Sequence, residues 1–350
     1  MTIDSLSIEM GKKGLFYYPL YSVSKIDGQW IYFGWNEVHR TLDVVNLAEL
    51  KYLRSISFQY EGPDGVGDVK GLNVINYDSI FFLSSQQLAL VNSASHIVEK
   101  WGVNDKNEFS GFDNIKNVIT TEESFNILYD RKRKKLFTKL HHPNYKWCDP
   151  NLAYYFESYV AELDLVKKEF RSLEIPYPSI YQEAHFGLRD VPSGMMGKNG
   201  ELNFTFSISS NIYQYSTTEE KLTVLGGTSD FTDNMAKSLP IGDCSETPKS
   251  MKHNLLNVKY LHLMFDPYRK LYYRFHWGEV PENRADGRFS AYNDKPLYLS
   301  VFDFNMAKIG ESEVDRKQGP VWSFVTEEGL YVIKARGKED ILGFNLYKFS

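Results

Sequence analysis

The sequence has few cysteines, no excess of basic residues and no long hydrophobic run. None of its apolar stretches approaches the roughly 18 consecutive residues that a membrane-spanning helix needs. The first residues, Met1 to Ser5, do not have the charged-then-apolar pattern of a signal peptide. With 40 Lys and Arg against 45 Asp and Glu, the net charge is −5. We therefore expect no transmembrane segment and no nucleic-acid partner, because binding to nucleic acid depends on neutralising phosphates.

Motifs of catalytic and metal sites are also missing. The sequence contains no G-x-S-x-G, no P-loop, no G-x-G-x-x-G and no Cys/His nucleophile pattern. His141 and His142 are adjacent, so on a strand they would point to opposite faces and could not share a metal ion. We expect no bound metal and no cofactor. A catalytic pair of carboxylates, as in glycoside hydrolases, would not be visible in the sequence, because folding brings its two members together.

Aromatic residues are abundant instead: 24 Tyr, 23 Phe and 6 Trp. Aromatic side chains favour β-strands because they pack well on a pleated surface. Short alternating runs such as Trp30–Trp35 and Leu271–Phe275 are bounded by Gly, Asn, Asp or Ser, which is typical of strands joined by tight turns. The pattern predicts an all-β chain.

The strand pattern repeats six times. Strands that follow a turn start near Trp30, Ile80, Leu136, Leu202, Leu271 and Leu330. A second feature, a small polar residue followed six positions later by an apolar one, recurs at Asn46, Asn92, Asp164, Ser216 and Asp303. Such residues suit a corner because their side chains bond to nearby backbone. Six units with room for four strands each predict a six-bladed β-propeller, formed by residues 1–350 as one domain.

The two chain ends are predicted to share the last blade. Asn345 is assigned to the corner position of the sixth unit, and too few residues follow it for a fourth strand. Alternating Ile3, Leu6 and Ile8 could supply that strand, which would remove two exposed sheet edges. The alternative, two β-sandwich domains, predicts a linker near the middle, and no Pro-, Ser- or Gly-rich stretch there would serve.

Three short segments resemble a known family. They are Glu61–Gly67, the Tyr272–Phe275 strand after Phe265-Asp266, and Glu328–Tyr331. Together they are similar to a Bacteroidetes family of unknown function, whose members are like six-bladed propellers and are usually exported, commonly as lipoproteins. The resemblance implies a periplasmic or cell-surface protein whose precursor carries a leader and a lipid-bearing cysteine. It implies no catalytic residues.

Long connections are predicted on one face of the propeller. Turns between the first and second strands, and between the third and fourth, are short in every unit. The insertions fall in the other connections: 61–69, 103–115, 141–152, 176–188, 226–256 and 278–296. Binding residues concentrate on loops held by a rigid scaffold, so this face is the predicted site.

The predicted binding residues combine aromatic rings with polar tips. Aromatic faces beside His, Arg and carboxylate groups suit a sugar or peptide. The alternative is that these side chains only pack between blades. The candidates are His141, Trp147, Arg189, Arg274, His276, Trp277 and Glu279.

The function predicted from these features is binding without catalysis. The expected ligand is a glycan, a peptide or an envelope protein, and we expect the chain to be a monomer. Two alternatives remain open: a polysaccharide hydrolase or lyase with acid/base residues on the same face, and a structural scaffold in an envelope complex.

The two cysteines, Cys148 and Cys244, both fall in long connections. An oxidising compartment would favour a disulfide between them, whereas a reducing cytosol would leave two thiols. A bond requires two long loops to bring their Cα atoms within about 7 Å. Because the sequence does not show that proximity, it favours free thiols.

Overall fold

The computed structural model describes residues 1–11, 14–103, 109–111, 118–120, 126–141, 148, 152–187, 192–334 and 340–349. Nearly all regular structure is β-strand, arranged in six antiparallel sheets that follow one another along the chain. These sheets are the blades of a six-bladed β-propeller, as the repeats predict.

The strands of the first three blades, together with the N-terminal strand, are β1 (Thr2–Glu9), β2 (Tyr21–Ile26), β3 (Gln29–Asn36), β4 (Thr41–Asn46), β5 (Lys51–Ser57), β6 (Val69–Asn76), β7 (Ser79–Ser84), β8 (Gln87–Val91), β9 (Ile97–Gly102), β10 (Val118–Thr120), β11 (Leu128–Asp130), β12 (Lys135–His141), β13 (Val160–Asp164) and β14 (Glu169–Ser172). Both β10 and β11 pair with β12, so the first strand of blade three consists of two segments.

The strands of the last three blades are β15 (Pro192–Met196), β16 (Leu202–Phe206), β17 (Ile212–Ser216), β18 (Lys221–Leu225), β19 (Lys259–Asp266), β20 (Leu271–Trp277), β21 (Leu297–Phe302), β22 (Lys308–Val314), β23 (Gln318–Thr326), β24 (Gly329–Lys334) and β25 (Ile341–Lys348). The six predicted strand starts all fall at the second strand of a blade: β3, β7, β12, β16, β20 and β24.

Helices are short and lie between strands. Those among the described residues are α1 (Ile241–Cys244), α2 (Thr247–Leu256) and four 3₁₀ turns at Leu152–Phe156, Ser179–Gln182, Lys198–Gly200 and Tyr292–Asp294. Within the residues that the structure describes, no helix is long and apolar enough to cross a bilayer.

The last blade contains both ends of the chain, as predicted. Strand β1 runs antiparallel to β25, with Thr2 opposite Lys348 and Glu9 opposite Ile341. The assignment of Asn345 to a corner was wrong, because this residue lies inside β25 and its side-chain amide donates to Gln318 Oε1 at 3.2 Å. Strand β25 is the third strand of the blade, and β1 is the fourth.

The five other predicted corners share one kind of turn. In each, the side-chain oxygen of the corner residue accepts one or two hydrogen bonds from backbone N–H groups two to four residues later. Asn46 Oδ1, for example, accepts from Ala48 N at 3.0 Å and Glu49 N at 3.1 Å. The repeat therefore reflects a local hydrogen-bond requirement at the end of the third strand. The corners are Asn46, Asn92, Asp164, Ser216 and Asp303.

The chain divides into two compact units. The first comprises residues 1–141, 160–172 and 317–350, and the second comprises residues 142–159 and 173–316. The prediction that residues 1–350 form one domain stays a prediction.

Strand β3 shows how the first unit builds its core. Ile31, Phe33 and Trp35 on one face pack with Phe82 and other residues of blade two. Tyr32, on the opposite face, packs in a cluster with residues of the last blade. Both faces of the strand are therefore buried, which explains why its sequence is apolar at nearly every position.

Candidate functional site

The long connections leave each blade at the same end of its sheet. Apart from the seven residues between β10 and β11, which join the two segments of one strand, all connections of more than six residues join either the second strand to the third or one blade to the next. The turns at the opposite end are two to five residues long. Alternate turns of an antiparallel meander emerge at opposite ends, so in each blade the insertions share one end. The prediction of one looped face for the whole chain remains a prediction.

In the second unit the insertions pack against one another. We use the name loop layer for its described residues 148, 152–159, 173–187, 226–258 and 278–296. Cys148 and Cys244 form a disulfide within it, with their Cα atoms 5.6 Å apart. The expectation of free thiols was wrong, because packing of the insertions supplies the proximity that the sequence does not reveal.

Helix α2 connects two of these insertions. Lys295 Nζ donates to the carbonyl oxygens of Leu255 at 2.7 Å and Asn257 at 2.6 Å, at the end of the helix. A cation suits this position because the last carbonyls of a helix lack intrahelical partners and carry partial negative charge. Tyr292 donates its hydroxyl hydrogen to Met251 O at 3.1 Å, and Lys252 pairs with Glu282 at 2.5 Å. Four side chains thus fix the 278–296 connection against α2.

A third insertion is attached through a close backbone approach. Leu239 N donates to His185 O at 2.7 Å. Gly187 lies over α2 with φ of +65°, and a Cβ added there would be 2.7 Å from Ser250 Oγ. Glycine is therefore required at this contact.

Two of the predicted binding residues, Arg274 and His276, lie in the interior of the second unit. Arg274 has no exposed surface and donates to the carbonyl oxygens of Ser210, at 2.6 Å, and Gly227. His276 stacks between Tyr260 and Tyr298, with ring centroids 5.1 and 5.2 Å away. Both side chains thus contact protein groups in the interior, and their assignment to a binding site stays a prediction.

The charges around His276 are arranged to keep it neutral. Burial, together with the positive charge of Arg274, lowers the pKa of His276 to about 3, although nearby Glu311 raises it. Burial also lowers the pKa of Arg274 to about 10. Glu311 is buried as well, which raises its pKa, but hydrogen bonds from Asp230 N and from Ser229 and Lys308 side chains leave that pKa lower than usual. Glu311 is therefore an ionised carboxylate, and Lys308 Nζ pairs with it at 3.1 Å.

The remaining predicted residues differ in position. Trp277 is half-buried at the end of β20, and the Glu279 carboxylate accepts from Asp233 N at 3.3 Å. Both lie at the edge of the loop layer. His141 ends β12 and belongs to the first unit. Trp147 and Arg189 lie outside the described residues.

A set of exposed apolar side chains lies on the loop layer and was not among the residues predicted from the sequence. Phe289 is 75% exposed, and Tyr292 and Met251 lie in contact through the hydrogen bond given above. Contiguous exposed apolar residues mark interaction surfaces, whereas single ones are common on any protein surface. Because seven such residues lie on the loop layer, it is the candidate surface. In the sequence, most of these residues could have been recognised as Met and aromatic residues that lie within the long insertions. The set consists of Phe156, Phe231, Met235, Ile241, Met251, Phe289 and Tyr292.

Comparison with known families agrees with this architecture. The family model described as a domain of unknown function, DUF4221, matches residues 3–313. The chain belongs to the DUF4221 family. The resemblance inferred from the three short segments is thereby confirmed.

Solved structures include similar proteins from Bacteroides. A DUF4221 member from Bacteroides vulgatus is 18% identical, with a TM-score of 0.77 over 99% of this chain and 96% of the other. A Bacteroides fragilis protein described as exported is 11% identical, with a TM-score of 0.56 over 99% of this chain and 95% of the other. At these identities the similarity establishes the fold alone. Comparison with curated proteins finds no match.

Proposed function

We propose that this DUF4221 protein is a non-catalytic binding protein whose loop layer binds a peptide segment of a protein partner. The observation that carries the proposal is the set of seven exposed large apolar side chains on the loop layer. Protein interfaces combine an apolar centre, often rich in aromatic residues and Met, with a polar rim.

The charges of the loop layer support a ligand without a strong net charge. Lys249 pairs with Asp243 at 2.6 Å, Arg284 with Asp294 at 2.6 Å, and Lys252 with Glu282 at 2.5 Å. Because these cations already have carboxylate partners, the surface offers no concentrated positive field for a polyanion. An apolar side chain flanked by neutral polar groups fits it better.

A glycan is the second candidate, favoured by Phe231. Its ring stacks in parallel on Tyr298, with centroids 5.3 Å apart, and it remains 55% exposed. An aromatic face fixed from behind can stack against a sugar ring. Trp277 and Glu279, which the sequence predicts as binding residues, lie in the same part of the unit and would contact such a ligand.

We also propose that the protein acts outside the cytosol, in the periplasm or at the cell surface, as a lipid-anchored form of a longer precursor. The disulfide supports this, since such bonds persist in oxidising compartments. The similarity to a protein described as exported supports it as well.

The test uses a phage-displayed random peptide library and a glycan array with purified protein. We expect wild-type protein to select peptides with apolar anchors, and we expect a Met251→Asp/Phe289→Asp variant to lose them. Val224→Asp is the matched control, because Val224 is exposed on β18 of the same unit and lies outside the loop layer.

The outcomes separate the candidates. Peptide binding that survives in the double variant, or is lost equally in Val224→Asp, would overturn the assignment to the loop layer. Glycan binding that disappears with Phe231→Ala, without peptide selection, would replace the peptide proposal by the glycan one. Melting temperatures of all variants identify losses caused by unfolding.

A further inference from the structure

A separate pocket lies in the first unit, where residues 14–20 cross the end of blade one. This segment is not a strand, yet it is firmly fixed. Tyr18 is fully buried, and its hydroxyl donates to Asp43 Oδ2 at 2.6 Å. The ring lies directly on Gly34 of β3, where a Cβ would be 2.4 Å from Tyr18 Cγ. Trp35 N donates to Leu20 O at 2.9 Å and fixes the end of the segment.

Tyr18 points into the core, and its neighbours in the segment line a cavity of about 440 Å³. Leu15, Phe16 and Tyr17 of the segment form part of the wall, and Trp35 and Val69 form another part. This volume is within the range of about 300–1,000 Å³ that is typical of small-molecule sites, which are mainly apolar with a few polar groups. The pocket is formed on a rigid strand and an anchored segment, so it exists before any ligand binds.

Two charged residues, Glu37 and Lys70, border the pocket. Lys70 Nζ is already paired with Asp68 at 2.8 Å. Nearby Arg40 donates to Gly67 O at 2.7 Å and lies over the rings of Trp35 and Tyr60. Within the part of the chain that the structure describes, the Glu37 carboxylate has no ion pair and is exposed to solvent. Arg40 keeps its positive charge, because Gly67 O and the two rings are neutral, so the surroundings as a whole carry no net negative charge. Among the groups that line the pocket, Glu37 is the carboxylate that can pair with a ligand.

We propose that this pocket binds a small amine: an aliphatic or aromatic body fills the apolar cavity, and its ammonium group pairs with Glu37. Phe16 and Tyr17 in the wall favour the same ligand, because the faces of aromatic rings attract cations. The site is distinct from the loop layer and does not depend on the function proposed for it.

The experiment compares three probes that share one body and differ in the head group: 4-phenylbutylamine, 4-phenylbutanol and 4-phenylbutyrate. Calorimetric titration of the full chain should show saturable binding, with the amine about two- to five-fold tighter than the alcohol, the size expected of an exposed ion pair. The acid should bind most weakly. Glu37→Gln should bring the amine and the alcohol to equal affinity, whereas Glu99→Gln, on the exposed surface of β9, should change nothing.

A second pair of variants tests the cavity without relying on charge. Val38 borders the pocket and is 80% exposed, so Val38→Trp can obstruct the entrance without disturbing the core. It should abolish binding of all three probes, while Val98→Trp on β9 should not. Absence of saturable binding, preference for the acid, equal affinity for all three probes, or full binding to Val38→Trp would each overturn the proposal.

Discussion

At the scale of single residues, blade five contains a buried polar group that stabilises the fold only in one protonation state. His276 is fully buried beside Arg274, Glu311 and Lys308, and its Nε2 lies 3.2 Å from Ser229 Oγ. A proton on the imidazole would place a second positive charge next to the Arg274 guanidinium, which hydrogen bonds hold in place. The neutral ring instead stacks between two tyrosines and contributes to the packing of the second unit.

This arrangement predicts a pH-dependent stability. The pKa of His276 is about 3 in the folded chain and about 6.5 when unfolded, so the unfolded chain takes up the proton first as pH falls. Stability is present above pH 6.5 and is lost as pH falls toward 3. Between pH 7 and pH 5 the loss from this group amounts to about 2 kcal/mol. Urea unfolding at both pH values measures it.

The matched comparison uses two glutamine variants. His276→Gln should be less stable at pH 7 but should lose less stability between pH 7 and pH 5. His39→Gln, which changes an exposed imidazole, should keep the full pH dependence. An unchanged pH dependence in His276→Gln would contradict the assignment.

At the scale of elements, the insertions of the second unit behave as a packed layer because several independent contacts join them. The 3₁₀ turns at Leu152–Phe156 and Ser179–Gln182 meet through Tyr155 and Tyr181, with ring centroids 5.3 Å apart. The disulfide links the first insertion to α1. Long loops without such contacts would have a large conformational entropy to lose on binding.

Reduction of the disulfide should therefore weaken both stability and binding. The bond closes a loop with a sequence separation of 96 residues, for which loss of the cross-link costs about 2–5 kcal/mol. We expect dithiothreitol to lower the melting temperature of the wild type. The Cys148→Ser/Cys244→Ser variant should melt at that lower temperature with or without reductant. A wild-type melting temperature unaffected by verified reduction would contradict the prediction.

Two isoleucines of strand β1 test how much burial of this edge strand contributes to the free energy of unfolding. Ile8 is buried in the core of the first unit, whereas Ile3 on the same strand is 50% exposed. Ile8→Asp should lower the free energy of unfolding by about 3 kcal/mol or more, since it places an unpaired charge among apolar side chains. Ile3→Asp, with the same chemical change, should cost less than about 1 kcal/mol. Chemical denaturation of the two variants should separate them clearly.

At the scale of the whole molecule, the two chain termini depend on each other. Eight residues of β1 pair with eight of β25, although they are separated by almost the whole sequence. Without β1, strand β25 would present unpaired N–H and C=O groups along its edge. Exposed edges of this kind promote aggregation.

Deletion of residues 1–9 should consequently destabilise the protein and promote its association. A synthetic peptide with the sequence of residues 1–10 should restore the melting temperature when added in excess, because binding to the folded state stabilises it. A peptide in which Ile8 is replaced by Asp should fail to do so. Melting temperatures that are the same for the deletion and the wild type would show that the last blade does not need its fourth strand.

The sequence by itself determined the blades. Corner residues such as Asn46 and Asp303 act through hydrogen bonds to backbone only a few positions away, so their spacing could be recognised without knowledge of distant contacts. The same holds for the matching turns at Asp130 and Asp266, each of which accepts from the backbone N–H groups two and three residues later. The pairing of the two termini could be predicted by counting the strands of the sixth unit, even though Asn345 had been assigned to the wrong position.

Only the tertiary structure decided which of the predicted binding side chains are buried and which segments meet. Arg274 and His276 have the composition of a binding site, but neighbouring strands and loops bury them and satisfy most of their polar groups. The disulfide and the amine pocket likewise depend on segments that are distant along the chain. Local pattern fixes the direction and length of a strand, whereas burial and proximity depend on how separate strands and loops pack, and no single segment contains that information.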